Sequence, residues 1–204
     1  RVADEARASS VEGADAADEA RQRGVAGEVG SAHGVPVFIM TYASLIYARG
    51  VKEFMADGVA AGVSGFILPD IPLDYDEGTW AAAEEAGSVL MPVTVTSAGP
   101  DRLRLLAQRS PEYVYVALRR GITGQRTEIG DDNLHFLDQL RSTGTKIMAG
   151  FGISGRDQVE ALEPHVHATV VGSAFVKTVS AHAAESPDEI AAAVEAQTRE
   201  LAGL

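Results

Sequence analysis

From Val35 onward the chain keeps one rhythm. A short β-branched apolar run gives way to a turn, then to an amphipathic stretch, then to another short run. The pattern predicts strands over 36–42, 65–68, 89–94, 113–118, 146–149 and 168–172. It predicts helices between them over 51–61, 75–86, 101–109, 132–142 and 156–162. A short helix over 174–178 and a final one over 187–201 close the chain. Near-continuous apolar runs such as Val35-Pro36-Val37-Phe38-Ile39-Met40 suit parallel strands buried on both faces. Strict strand–helix alternation implies right-handed βαβ units and a parallel sheet. Six such strands fit either an open doubly wound sheet or part of an eight-stranded barrel, and spacing alone leaves both open.

Local signals support these boundaries. Pro100-Asp101 precedes an apolar stripe of Leu103, Leu105 and Leu106, and Ser154 is placed to cap the helix that follows Ile153. Ala61-Gly62, Ala86-Gly87 and Thr143-Gly144 read as helix stops, with glycine supplying the left-handed position. Residues 1–34 differ from the rest. They are rich in Ala, Glu, Asp, Arg and Gly and hold no apolar run able to form a buried strand. Residues 14–23 could form a surface helix, but the composition favours a disordered or loosely docked segment, set apart from a domain spanning 35–204. The chain begins at Arg1 and not at Met, which reads as a processed or partial chain.

Charge and composition narrow the function classes. Seventeen basic against 29 acidic residues give a net charge of −12, which disfavours nucleic acid and anionic membranes as partners. A small phosphorylated ligand needs only a local patch of donors and stays open. With no cysteine, disulfides, thiolate metal sites and a cysteine nucleophile are excluded. The histidines (His33, His135, His165, His167 and His182) show no zinc-like spacing, so no metal or other cofactor is expected. No apolar run approaches about 18 residues and no signal peptide is visible, making the cytoplasm the default location.

Two post-strand turns carry the strongest chemical signal. Gly150-Phe151-Gly152-Ile153-Ser154 and Gly172-Ser173-Ala174 each follow a strand and open a helix. Glycine lets the backbone approach an anion, and N–H groups at a helix start point toward it. In β/α barrels the turns after the last two strands, with a short additional helix, commonly form a phosphate site. Their structural alternative is two ordinary tight turns. A third segment, Arg119-Arg120-Gly121-Ile122-Thr123-Gly124-Gln125, suits a loop that covers a ligand and donates to its oxygens; an ordinary βα loop would look the same. Thr41-Tyr42 and Pro69-Asp70-Ile71-Pro72 place polar residues at strand ends, where Asp70 is either a turn former or a functional carboxylate.

Taken together, these segments resemble the tryptophan synthase α subunit family. The matching stretches are 38–45, 60–72, 113–115, 121–124, 150–154 and 171–174, in the family's order and spacing. The resemblance implies a TIM (β/α)8 barrel, of which this chain shows the family's strands three to eight. It implies cleavage of indole-3-glycerol phosphate to indole and glyceraldehyde 3-phosphate in tryptophan biosynthesis, in complex with a β subunit. Carried over residue by residue, it assigns Gly152, Gly172 and Ser173 to the substrate phosphate, with Thr123 and Gly124 beside them. It assigns Tyr42, Tyr115 and Phe151 to the indole end, and Asp70 to a loop that communicates with the partner subunit.

The family's acid and base are not found. The motif that carries them, Glu-Leu-Gly-x-Pro-Phe-Ser-Asp-Pro, does not occur in the 204 residues, and Val11-Glu12-Gly13 only faintly resembles the end of that loop. Open alternatives are a lyase that works without a β subunit and a non-catalytic homologue that binds phosphate or a β-like partner. An open-sheet nucleotide binder is a weaker alternative, since no glycine-rich dinucleotide fingerprint is present.

Overall fold

The computed structural model describes residues 35–109, 111–118 and 126–204, and the chain divides into two units between Met91 and Pro92. The N-terminal segment 1–34 and the loop residues Arg119, Arg120, Thr123 and Gly124 lie outside the described residues.

The first unit is a three-stranded parallel sheet, ordered β1 (Phe38–Met40), β2 (Gly65–Ile67), β3 (Val89–Met91). Helices α1 (Ala43–Arg49), α2 (Val51–Ala60) and α3 (Thr79–Glu85) fill the connections. The expected burial on both faces holds for β2, all of whose residues are buried, but not for β1, where Met40 is 43% exposed. The core is Ile46, Met55, Phe66, Leu68, Ala82, Ala83 and Leu90. Phe66 anchors it, fully buried and tilted against Phe54 with ring centroids 5.8 Å apart. Burying such a side chain contributes roughly 1.5–3 kcal/mol. Gly58 admits it, while Gly65 makes room beside the Phe38 ring and β3. A Cβ at Gly58 would lie 2.6 Å from the Phe66 ring, and one at Gly65 would lie 2.4 Å from the Val89 carbonyl oxygen.

Helix α1 has no counterpart among the predicted helices. Its N-cap residue Tyr42 makes no side-chain cap. Instead Asp70 reaches it, both carboxylate oxygens accepting from the Ala43 N–H at 3.0 and 3.2 Å. A carboxylate there satisfies one orphan donor and complements the helix dipole. Helix α3 begins four residues later than predicted, because Glu77 (φ 47°) and Gly78 (φ 81°) take left-handed conformations just before it. Near these residues the Tyr47 phenol is pushed up to about 12, first by desolvation and then by its hydrogen bond to Glu77.

The second unit is a four-stranded parallel sheet, ordered β4 (Val93–Val95), β5 (Tyr113–Ala117), β6 (Lys146–Gly150), β7 (Ala168–Val170). The predicted strand 89–94 is thus two segments, interrupted at Pro92, which has no N–H to give a ladder. Helices α4 (Pro100–Arg109), α5 (Asp131–Arg141) and α6 (Arg156–Leu162) follow β4, β5 and β6. Val114, Val116, Leu137, Leu140, Ile147, Ala149, Ile153 and Leu162 make its core, each essentially inaccessible. The anticipated left-handed stops are present at Gly62, Gly87 and Gly144.

After β7, the short helix predicted over 174–178 is longer, α7 (Ser173–Ala181), and α8 (Pro187–Ala202) packs on α6 and α7. Arg156 donates to the Leu201 carbonyl (2.9 Å) and Thr178 to Gln197 (2.7 Å). Among the described residues no helix is long and apolar enough to cross a membrane.

Two stability predictions arise here. Thr94 is buried, and its hydroxyl has no hydrogen-bond partner among the described residues. The nearly isosteric Thr94→Val change should therefore raise stability by about 1 kcal/mol in thermal or denaturant unfolding. At the start of α8, Ser186 and Glu189 form a reciprocal capping box, with Pro187 in the first turn. Ser186→Ala should lower stability by about 1 kcal/mol at neutral pH. Hydrogen bonds from the Ser186 side chain and backbone hold the Glu189 carboxyl below its usual range. A depressed carboxyl stabilises above its unfolded-state value and loses that contribution as pH falls through its folded-state value. The gap between wild type and Ser186→Ala should accordingly narrow in melts taken on the acid side of the carboxylate range.

Candidate functional site

Strands β6 and β7 pair in parallel with Gly150 opposite Val170. The turns that leave them therefore start from the same edge of the sheet, at the carboxyl ends of neighbouring strands. The close approach depends on Gly150. A Cβ there would lie 2.7 Å from the Tyr115 hydroxyl and 2.9 Å from the Val170 carbonyl oxygen. Tyr115, on β5, is 4% exposed, and burial raises its phenol, so it stands beside the first turn as a neutral hydroxyl.

The first turn, 150–155, is held in an unusual backbone state. Phe151 (φ 89°) and Gly152 (φ 73°) are both left-handed, the former costly for a residue with a side chain. Its carbonyls are pinned from one side. The Thr127 hydroxyl donates to the Phe151 carbonyl (2.8 Å), and the Thr127 N–H donates to that of Gly152 (2.9 Å). Gln158 donates to the Gly152 carbonyl (3.0 Å) and to that of Thr127 (2.6 Å). Ser154 is not the cap of α6. Gly155 occupies that position, and Gln158 accepts from the Ser154 (2.8 Å) and Gly155 (3.1 Å) N–H groups. Arg126 pairs with Asp157 across the same junction. Ion pairing with Arg126 lowers the Asp157 carboxyl.

The second turn is different in kind. Gly172 is the N-cap of α7 with a negative φ of −122°, and among the described residues a Cβ there would meet nothing within 4 Å. Neither a positive φ nor close packing among the described residues asks for glycine at this position. What the missing side chain leaves is room in front of the helix start. Among the described residues no side chain caps α7, and its first turn closes with the Val176 N–H on the Gly172 carbonyl (3.2 Å).

Of the residues singled out from sequence, the second unit holds Tyr115 midway along β5, and Phe151, Gly152, Gly172 and Ser173 in the turns after β6 and β7. Tyr42 and Asp70 belong to the first unit, where Tyr42 is 63% exposed at the start of α1. Gln158 and Thr127, the buried polar residues that shape the first turn, were not singled out. The available signal was glutamine three residues after a cap position, half of a capping box. The described histidines each make a local contact: His135 with Gln139, His165 with Asp138, His167 with the Tyr113 ring, His182 with the Thr178 carbonyl.

The family model described as tryptophan synthase alpha chain matches residues 24–203. Among similar curated proteins, the tryptophan synthase alpha chain of Synechocystis sp. is 35% identical over 168 residues, covering 81% of this chain and 62% of that protein. That of Oceanobacillus iheyensis is 31% identical over 148 residues, covering 72% and 56%. The chain thus spans about three-fifths of the length of these relatives. A solved structure of the tryptophan synthase a2b2 complex from Pyrococcus furiosus matches with a TM-score of 0.71 and 29% identity, over 83% of this chain and 68% of that one. With parallel strands alternating with helices in both units, and a match running through both glycine turns to the closing helix, this chain belongs to the tryptophan synthase alpha chain family and has its TIM-barrel α/β fold.

Proposed function

We propose that this chain carries the phosphate-holding part of a carbon–carbon lyase that cleaves indole-3-glycerol phosphate to indole and glyceraldehyde 3-phosphate, working with a tryptophan synthase beta subunit. The observation that carries the reading is Gly172. Its missing side chain serves neither a left-handed backbone nor close packing, and leaves the α7 start open to a group with no side chain to displace. A phosphate dianion is the natural occupant, since helix-start amides and their dipole favour negative charge. Gly152 on the neighbouring turn and the Ser173 hydroxyl and N–H supply further donors, and Thr123 and Gly124 join them by resemblance. Tyr115 and Phe151 would face the indole end with an apolar surface and one neutral hydroxyl.

Cleavage itself needs two proton transfers. A base takes the proton of the glycerol hydroxyl as that carbon becomes an aldehyde. The electron pair of the breaking carbon–carbon bond passes to the indole ring carbon, which an acid protonates. The motif that carries the family's acid does not occur among residues 1–204, so the described turns bind and orient but do not supply this chemistry. Asp70 belongs to neither role in this reading. Gripping the α1 start with both oxygens, it would transmit a displacement of its own loop to that helix, a suitable device for sensing a bound beta subunit.

Calorimetric titration of the 204-residue protein with indole-3-glycerol phosphate tests the binding half of the proposal. Weak but saturable binding is expected. Ser173→Glu, which puts a carboxylate where the phosphate would sit, should weaken it by about tenfold or more, equivalent to about 1.4 kcal/mol. Unchanged affinity in that variant would remove the phosphate assignment. In the same samples no indole should be released above an enzyme-free control. Release would show that an acid and a base do lie within these residues.

A further inference from the structure

We propose that Gln158 is a positioning residue of the phosphate turn, aiming its amides as well as capping a helix. The inference rests on the phosphate reading above. Its physical basis is the planarity of the peptide group, in which a fixed carbonyl also fixes the direction of the N–H across the same bond. The Phe151 carbonyl is held by the Thr127 hydroxyl, which sets the Gly152 N–H. The Gly152 carbonyl is held by Gln158 Nε2 and the Thr127 N–H together, which sets the Ile153 N–H. Two consecutive peptide planes are pinned by their oxygens, and their N–H groups are directed away from the pinning side. The left-handed angles of Phe151 and Gly152 are the conformation that results.

A capping role alone would use only the oxygen of Gln158. That oxygen accepts from Ser154 and Gly155, which closes the start of α6 and withholds those amides from any ligand. The other end of the amide does different work. Its nitrogen gives both protons to carbonyls, of Thr127 and of Gly152, so every hydrogen-bonding site of a glutamine side chain is used. At 3% exposure the group is out of water, so losing a partner is expensive.

Gln158→Glu separates the two roles. The substitution keeps the acceptor that caps α6, and glutamate is favoured there by the capping box and the helix dipole. It replaces the donor with an oxygen facing two carbonyl oxygens. A pure cap would leave ligand binding unchanged, whereas a positioning role predicts loss of binding that is partly regained when the carboxyl is protonated and recovers one O–H donor.

The experiment is a titration of the isotopically labelled 204-residue protein with inorganic phosphate, followed through the amide resonances of Gly152, Ile153, Gly172 and Ser173. Wild type should show saturable shifts at all four. Gln158→Glu should bind about tenfold more weakly at pH 8, with the gap to wild type narrowing toward pH 5, as expected for an unpaired buried acceptor. Thr127→Val, which removes the hydroxyl on the Phe151 carbonyl, should also weaken binding, and Thr127→Ser should restore it. This pair decides the matter should Gln158→Glu fail to fold. Absence of phosphate-dependent shifts in wild type would overturn the phosphate reading and this inference with it. Wild-type affinity in folded Gln158→Glu or Thr127→Val would overturn the positioning role alone and leave the phosphate site standing.

Discussion

The geometry of the second unit turns on the place of Gly150 at the end of β6, where any Cβ would strike the Tyr115 hydroxyl and crowd the Val170 carbonyl. Because that position is bare, three strands converge there. The β5–β6 ladder runs from Tyr113–Lys146 to Ala117–Gly150, and the β6–β7 ladder ends with Gly150 opposite Val170. The phenol of Tyr115 is carried to the base of the first turn, and both glycine turns depart from one edge. A larger residue would require the outer strands to move apart, and the turns would separate with them. A packing constraint inside the sheet thus governs the distance between two backbone segments outside it.

Above that edge, the fold places its buried polar groups unevenly. Gln158 and Thr127 are almost inaccessible, yet their donors and acceptors are matched to named partners around the first turn. Thr94, equally buried and paired with Val116 across the sheet, has a hydroxyl unmatched among the described residues. A buried polar group without a partner costs stability, while a satisfied network rigidifies the backbone it joins. The contrast locates where rigidity is built. It surrounds Phe151 and Gly152, whose left-handed angles would relax without the carbonyl contacts holding them.

How far the sequence showed this depends on how local each signal is. The strand–helix alternation and the stops at Gly62, Gly87 and Gly144 were legible because each rests on a few adjacent residues. Helix α1 was not, because its cap is Asp70, 27 residues away, and Tyr42-Ala43-Ser44-Leu45 holds no start signal of its own. The start of α3 was misplaced because the left-handed state of Glu77 leaves no mark in an acidic stretch, although Gly78 beside it was a visible signal. Likewise Ser154 looked like the cap of α6 until Gln158 claimed both amides at that end. The glycines of the site could be read as glycines after strands. The reason for each could not: Gly150 answers to packing, Gly152 to backbone angle, and Gly172 to neither.

That three-way difference bears on how an anion would be held. Just before the seven-residue helix α6, the amides of Ser154 and Gly155 are taken by its own glutamine, so its entrance has little to offer a ligand. Helix α7 is longer and has no side-chain cap among the described residues, so its start would be the stronger pole for an anion. The two turns are therefore complementary rather than duplicated. In the proposed site the α7 start would supply charge attraction, while the 150–155 turn would supply direction through peptide planes fixed from behind. A site divided in this way would lose affinity when the first element is blocked and lose orientation when the second is loosened.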